Sequence, residues 1–287
     1  MTDALPLPVV RTVSALRAHV RVWRERGQTI AFVPTMGALH DGHLSLVKLG
    51  RMQADRVVAS VFVNPRQFGP DEDFDRYPRD ELKDAGLLGA AQCDLMYAPS
   101  VGEMYPPAAQ TAVTVPKLSG VLDGAARPGH FDGVATVVTK LLVQVAPDLA
   151  IFGEKDFQQL LIVKRLVADL DLGIDVMGAP IARAPDGLAL SSRNVYLSEA
   201  EREIAPRLYA VLTAGAQALR AGAAVAEVEA EGTQSLLAAG FDKVDYVATH
   251  SPEDLSRRGP GPLEGQPARL LAAAWLGRTR LIDNLAV

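Results

Sequence analysis

The chain has a single cysteine, Cys93, in 287 residues. That scarcity excludes an internal disulfide and a thiolate-built zinc site, and it fits a reducing cytoplasm. Long apolar runs are missing too, since none approaches the roughly 18 residues needed to span a bilayer. The opening MTDALPLPVV lacks the basic start and apolar stretch of a secretory leader. No membrane partner is therefore expected, and the expected location is cytoplasmic. A large charge of one sign is also absent. The net charge of −5 argues against a bulk nucleic-acid binder but leaves room for a local pocket that takes a small anion. Neither internal repeats nor low-complexity tracts occur. What is present, 48% hydrophobic and 22% charged residues, describes a globular chain with ample core for one large domain or two ordinary ones.

Val13, Leu16, Val20 and Trp23 recur at helical spacing until Gly27. Residues 29–33 read as a buried strand, the segment from His43 as a helix, and residues 56–63 as a second buried strand. The nearly unbroken apolar character of these strands suits a parallel sheet covered on both faces. A helix over 133–145, a strand over 149–152, a helix over 156–170 and a strand over 174–181 repeat the order. Alternation of this kind predicts an α/β fold: a doubly wound parallel sheet, with sites at the carboxyl ends of its strands. After Asn194 the composition shifts. Ser198 caps an expected helix over 199–220, and a second helix runs to about Ala239. Strands are expected over 244–249, 270–276 and 279–282, with a Gly/Pro-rich loop starting at Arg257. These make a smaller α+β domain, so the expected division is 1–181 and 182–287.

Five segments carry candidate chemistry. In PTMGALHDGH, Gly37 and Gly42 have the spacing of a phosphate-cradling P-loop, but His43 and Leu44 follow where Lys and Ser or Thr belong. The helix start after the strand favours an anion, and His40 and His43, three apart, can face one ligand. The plainer alternatives are a helix cap with two surface histidines, or half of a zinc site. No HExxH occurs and only His19, His130 and His250 remain elsewhere, which argues against zinc. In NPRQFG, Asn64 and Gln67 offer neutral donors and acceptors, although Asn-Pro alone means no more than a turn. The acidic cluster of residues 71–75 reads as an exposed loop rather than a metal site. RPGHFDG supplies Arg127 and His130 as candidate anion or substrate contacts. In FGEKDFQQ, Asp156 suits an N-cap, but Lys155 at a helix start opposes the dipole, a conflict that a bound phosphate resolves. Finally LALSSRN sets two hydroxyls beside a guanidinium, a phosphate clamp by chemistry though a common loop sequence.

Together PTMGALHDGH, FVNPRQFG, RPGHFDGV, FGEKDFQQL and LALSSRN resemble, in order and spacing, the pantoate–β-alanine ligase family. The histidine motif alone resembles the wider HxGH nucleotidyl-transferase superfamily, with a Rossmann-like fold; Gln67, FGEKDFQQ and SSRN narrow it. The resemblance implies ATP-dependent condensation of (R)-pantoate with β-alanine through a pantoyl adenylate, releasing pyrophosphate and then AMP. It implies an ATP site of Pro34, Thr35, Met36, Gly37, His40, Gly42, His43, Gly153, Lys155, Asp156, Ala182, Leu190, Ser191, Ser192 and Arg193. His43, His40 and Lys155 are the implied catalytic residues. Met36, Gln67 and Gln159 are the implied pantoate contacts, and Gln67 also the β-alanine contact. Mg²⁺ is implied as a companion of ATP without a protein ligand cage, and a homodimer is the family habit. Leu190 stands where some members have Met, a tolerable apolar exchange. Three other classes fit less well. A plain adenylyltransferase leaves Gln67 and Gln159 without an acceptor. A tRNA-charging enzyme or RNA-binding module conflicts with the acidic charge, and a non-catalytic nucleotide sensor leaves Lys155 and the histidines without a task.

Overall fold

The computed structural model describes residues 6–70 and 72–287; the opening MTDAL and Asp71, the first residue of the acidic cluster, lie outside the described residues. The chain begins with β1 (Val9–Val10), α1 (Val13–Glu25), β2 (Ile30–Thr35), α2 (Asp41–Gln53), β3 (Arg56–Val61), α3 (Glu81–Ala90) and β4 (Leu95–Tyr97). Short helices α4 (Val101–Met104), α5 (Pro116–Ser119) and α6 (Leu122–Ala126) lead to α7 (His130–Val145), β5 (Leu149–Gly153), α8 (Phe157–Asp169) and β6 (Asp175–Ala179). These six strands form one parallel sheet in the order β1-β4-β3-β2-β5-β6.

The winding direction reverses between β2 and β5, which opens a crevice at their carboxyl ends. Those two strands pair only through Ala31↔Leu149 and Phe32↔Ala150. Beyond that point each continues without the other, β2 to Thr35 and β5 to Gly153. Both faces of the sheet are covered. Ile30 and Phe32 pack in one cluster with Leu16, Leu142 and Leu166 from α1, α7 and α8, while Ala31 and Val33 join Val47 and Leu88 from α2 and α3. Alternate residues of β2 thus serve opposite cores, and the strand has to be apolar throughout.

The remaining chain folds α9 (Glu199–Ile204), α10 (Arg207–Arg220) and α11 (Val225–Ala238) together with β7 (Lys243–His250), β8 (Arg269–Leu276) and β9 (Thr279–Ala286). These strands are antiparallel in the order β7-β8-β9, and a separate cluster that includes Leu212, Leu236 and Ala274 lies beneath them. Several expectations need correction. The helix expected over 199–220 is two helices, because Pro206, which has no N–H to continue the ladder, stands at the junction. The helix expected from Asp156 begins as a tight turn, Glu154–Asp156, and the last strand runs on to Ala286. Strands of two and three residues, β1 and β4, are too short to show a period, and the small residues of α3 blur its apolar face.

The turn after β3 lies flat on α7. Asn64 Nδ2 donates to the Gly133 carbonyl at 3.1 Å, and a Cβ at Gly133 would overlap the Arg66 carbonyl and lie 2.7 Å from the Gln67 nitrogen. Gly133→Ala is expected to cost about 1–3 kcal/mol through overpacking, lowering Tm by roughly 5 °C. Calorimetry showing an unchanged Tm would contradict this close approach.

Candidate active site

The turn leaving β2 is built around a buried carboxylate. Asp84, 1% exposed on α3, accepts from the Ala38 nitrogen at 3.0 Å and the Leu39 nitrogen at 2.8 Å. Burial pushes its carboxyl upward, and the two amides oppose that shift. Gly37 has φ +80°, and a Cβ on it would lie 2.8 Å from Asp84 Oδ2. Gly37, implied above as part of the ATP site, is therefore required first by its own turn. Thr35 completes the bend, its hydroxyl donating to the Ser60 carbonyl and accepting from the Gly37 nitrogen.

His40 and His43 cap α2 reciprocally. His40 Nδ1 accepts from the Gly42 nitrogen at 3.1 Å, and His43 Nδ1 accepts from the His40 nitrogen at 3.3 Å. Their ring centroids are 4.1 Å apart. A backbone amide can only donate, so each Nδ1 carries a lone pair and each Nε2 carries the proton. Burial, followed by Lys155, lowers His40 to about 4; burial, followed by His40 and Lys155, lowers His43 to about 3. Both rings are therefore neutral donors, whose N–H groups rather than net charge are available to a ligand.

His130 has the opposite tautomer. Arg127 Nη1 donates to its Nε2 at 3.0 Å, so Nδ1 carries the proton and donates to the Gln67 carbonyl at 2.8 Å. Burial and then Arg127 hold His130 at about 4. Arg127 in turn donates from Nε to Glu72 at 2.7 Å. Arg193 makes a bidentate pair with Asp73 at 3.0 and 2.9 Å. The acidic segment expected as an exposed loop is thus folded inward among the described residues, with two carboxylates engaged by two candidate arginines. Asn64 is 1% exposed and engaged by Gln67, Gly133, Arg66 and Tyr105, which makes it a brace for the turn. Gln67 Nε2 lies 3.0 Å from Met36 Sδ.

Lys155 follows β5 in a turn with no side-chain cap, 4.0 Å from Asp156. Asp156 makes no capping hydrogen bond to α8, and its side chain is half exposed. Beyond β6, the Leu190 nitrogen donates to the Ala182 carbonyl, and Ser192 Oγ donates to the Ala38 carbonyl at 3.1 Å. The clamp loop is thereby tied to the histidine turn. A cavity of about 230 Å³ collects Pro34, Thr35, Met36, His40, Gly42, His43, Asn64, Gln67, Arg127, His130, Gly153, Lys155, Asp156, Gln159, Ala182, Leu190, Ser191, Ser192 and Arg193. Gly37 alone of the expected residues does not line it. Sequence reasoning missed Asp84, the inward carboxylates Glu72 and Asp73, and the apolar wall of Phe62, Val134, Val137, Val138 and Leu141. The 3.6-residue period of α7 could have flagged that wall; the carboxylates carry no local signal.

The tautomers are directly testable. In ligand-free protein, ¹H–¹⁵N spectra should show Nε2–H for His40 and His43, Nδ1–H for His130, and no titration between about pH 5 and 8. Because the unfolded chain protonates near the ordinary 6.5, these lowered values predict that stability declines as pH falls from about 6.5 toward 4. A midpoint near 6.5 for any of the three would contradict the assignment.

Against known proteins, the family model for pantoate-beta-alanine ligase matches residues 8–286. The pantothenate synthetase of Rhodospirillum rubrum is 57% identical over 281 residues, covering 98% of this chain and 99% of that protein. That of Caulobacter vibrioides is 55% identical over 279 residues, covering 97% and 98%. A crystal structure of the Thermus thermophilus enzyme is 48% identical, with a TM-score of 0.91 over 97% of this chain and 99% of that one. The Francisella tularensis pantoate-beta-alanine ligase, complexed with beta-gamma ATP and beta-alanine, is 32% identical, with a TM-score of 0.82 over 98% and 97%. Alike in sequence from the first strand to the last and in backbone over nearly its whole length, the chain belongs to the pantoate–β-alanine ligase family.

Proposed function

We infer that the chain condenses (R)-pantoate with β-alanine at the expense of ATP, giving pantothenate, AMP and pyrophosphate. The carboxylate of pantoate attacks the α-phosphorus, forming pantoyl adenylate and releasing pyrophosphate. The amine of β-alanine then attacks the acyl carbon, loses a proton, and AMP leaves. One observation carries this reading: a single cavity combines His40, His43, Lys155 and residues 190–193 with an amide-and-apolar wall of Gln67, Gln159 and α7. The first set suits phosphates. The second suits a small branched hydroxy acid, whose methyl groups need an apolar surface and whose hydroxyl and carboxylate need neutral partners. Among relatives, the ligase complexed with beta-gamma ATP and beta-alanine supports the nucleotide and the amine as substrates.

In this reading the neutral imidazoles donate through Nε2–H to oxygens that gain charge as pyrophosphate departs, with no proton transfer required. Lys155 meets the α-phosphate. Ser191, Ser192 and Arg193 close on the nucleotide, with Pro34, Thr35, Met36, Gly42, Gly153, Asp156, Ala182 and Leu190 around it and Gly37 shaping the turn. Met36, Gln67 and Gln159 orient pantoate, and Gln67 also meets β-alanine. Residues 1–181 bind ATP and pantoate, and residues 182–287 form the lid. Mg²⁺ enters with the triphosphate and lowers its charge density. Asp156 would be the carboxylate available to that ion, since the residue lines the cavity and caps no helix, whereas Glu72 and Asp73 are held by arginines. A homodimer in the cytoplasm completes the proposal; no helix among the described residues is long and apolar enough to cross a membrane.

The test mixes ATP, Mg²⁺, pantoate and β-alanine and measures AMP and pantothenate; pantoate-dependent ATP–pyrophosphate exchange without β-alanine isolates the adenylate step. Folded protein that forms no AMP would refute the assignment. His43→Ala and Lys155→Ala should each lower kcat by about a hundredfold or more, the scale for loss of a strong electrostatic contact. Gln159→Ala should mainly raise the pantoate KM, and an effect on ATP alone would contradict its placement.

A further inference from the structure

The Lys155 turn is held from the other domain. Asn284, on β9 and 2% exposed, donates from Nδ2 to the carbonyls of Glu154 at 2.9 Å and Lys155 at 3.0 Å. Its amide orientation follows from chemistry: Arg269 Nε, which can only donate, lies 2.6 Å from the Oδ1 side and leaves both N–H groups for the two carbonyls. Arg269 is opposite Ala286 in the β8–β9 register, so Asn284 is its diagonal neighbour on the same face. Arg269 also donates to the Glu154 carboxylate at 2.8 Å and stacks 3.8 Å over the Phe157 ring. The lysine is thus flanked by a gripped backbone, while among the described residues its ammonium has Asp156, at 4.0 Å, as its ion-pair partner.

The preceding residue of β9 faces the other way. Asp283, 3% exposed, takes Arg183 in a bidentate pair at 2.6 and 2.9 Å. Arg183 opens the hairpin bridged to Ala189, whose far end delivers Leu190 to Arg193. Two adjacent residues of one strand therefore fix two separate segments that line the same cavity. A misplacement of about 1 Å at a reacting centre can cost a hundredfold in rate, and a lysine side chain can be aimed only if its backbone is fixed.

We propose that Asn284 is a positioning residue for the adenylate-forming step: its twofold hydrogen bond to the Glu154 and Lys155 carbonyls sets where the Lys155 ammonium meets the nucleotide. The proposal rests on the reading of Lys155 as a phosphate ligand. Asn284→Ala removes the donors, and Asn284→Asp keeps the shape and the Arg269 contact but sets an acceptor against two carbonyls. Both should lower kcat for pantoate-dependent ATP–pyrophosphate exchange by tenfold or more, with the pantoate KM unchanged within twofold; circular dichroism and Tm establish that each variant is folded, and either folded variant suffices. The decisive comparison is a double-mutant cycle. In a Lys155→Ala background, followed by radiolabelled pyrophosphate, Asn284→Ala should cost less than a further twofold. Full activity in a folded Asn284 variant, or the same tenfold loss with and without Lys155, would overturn the positioning role alone. Full exchange activity in Lys155→Ala would overturn the lysine reading and this proposal with it.

Discussion

A carboxylate buried beneath a turn determines most of what the site can do. Asp84 is nearly inaccessible to water, and an ion in that position persists only if hydrogen bonds replace its hydration. The amides of Ala38 and Leu39 do so, which requires a positive φ at Gly37 and Ala38. The bend then delivers His40 to the N-cap of α2, and the cap fixes His43 one turn further on. The same bend leaves the Ala38 carbonyl to receive Ser192. Turn, histidines and clamp loop are one mechanical unit, and Asp84 is its anchor although it does not line the cavity.

Charge in the site is arranged around substitution. Arg127 and Arg193 are partly buried and paired with Glu72 and Asp73, which avoids leaving guanidinium groups desolvated and unpartnered. A ligand that reached either arginine would find it already paired rather than a bare cation. The imidazoles contribute directional N–H groups without net charge, and Lys155 is a cation beside the cavity whose ion pair among the described residues is a long one, 4.0 Å to Asp156. The backbone carbonyls of this lysine and of the residue before it are both held by Asn284.

The parallel sheet was legible because its strands must be apolar on both faces, and residues 30–33 and 57–59 show this without interruption. The histidine turn itself was legible because strand, glycine and helix start fall in sequence. The protonation of its rings was not, since that depends on which amide each Nδ1 meets. Chain separation decided the rest. Asp84 acts across 46 residues, Glu72 across 55 and Asp73 across 120, and none carries a mark in its own neighbourhood. The acidic cluster consequently looked like a solvated loop, and Pro206, plainly visible in the sequence, was overridden by the strong helical composition around it.

The grip of Asn284 on the Lys155 turn spans 129 residues, whereas the histidine cap closes over three. During synthesis the amino-terminal elements emerge and fold first, so the capped histidines can form long before β9 exists. The lysine turn acquires its outside support only once the second sheet is complete. A partly made or partly unfolded chain therefore carries the capped histidines while the Lys155 turn still lacks the strand that holds its carbonyls, so the two halves of the cavity wall mature at different times.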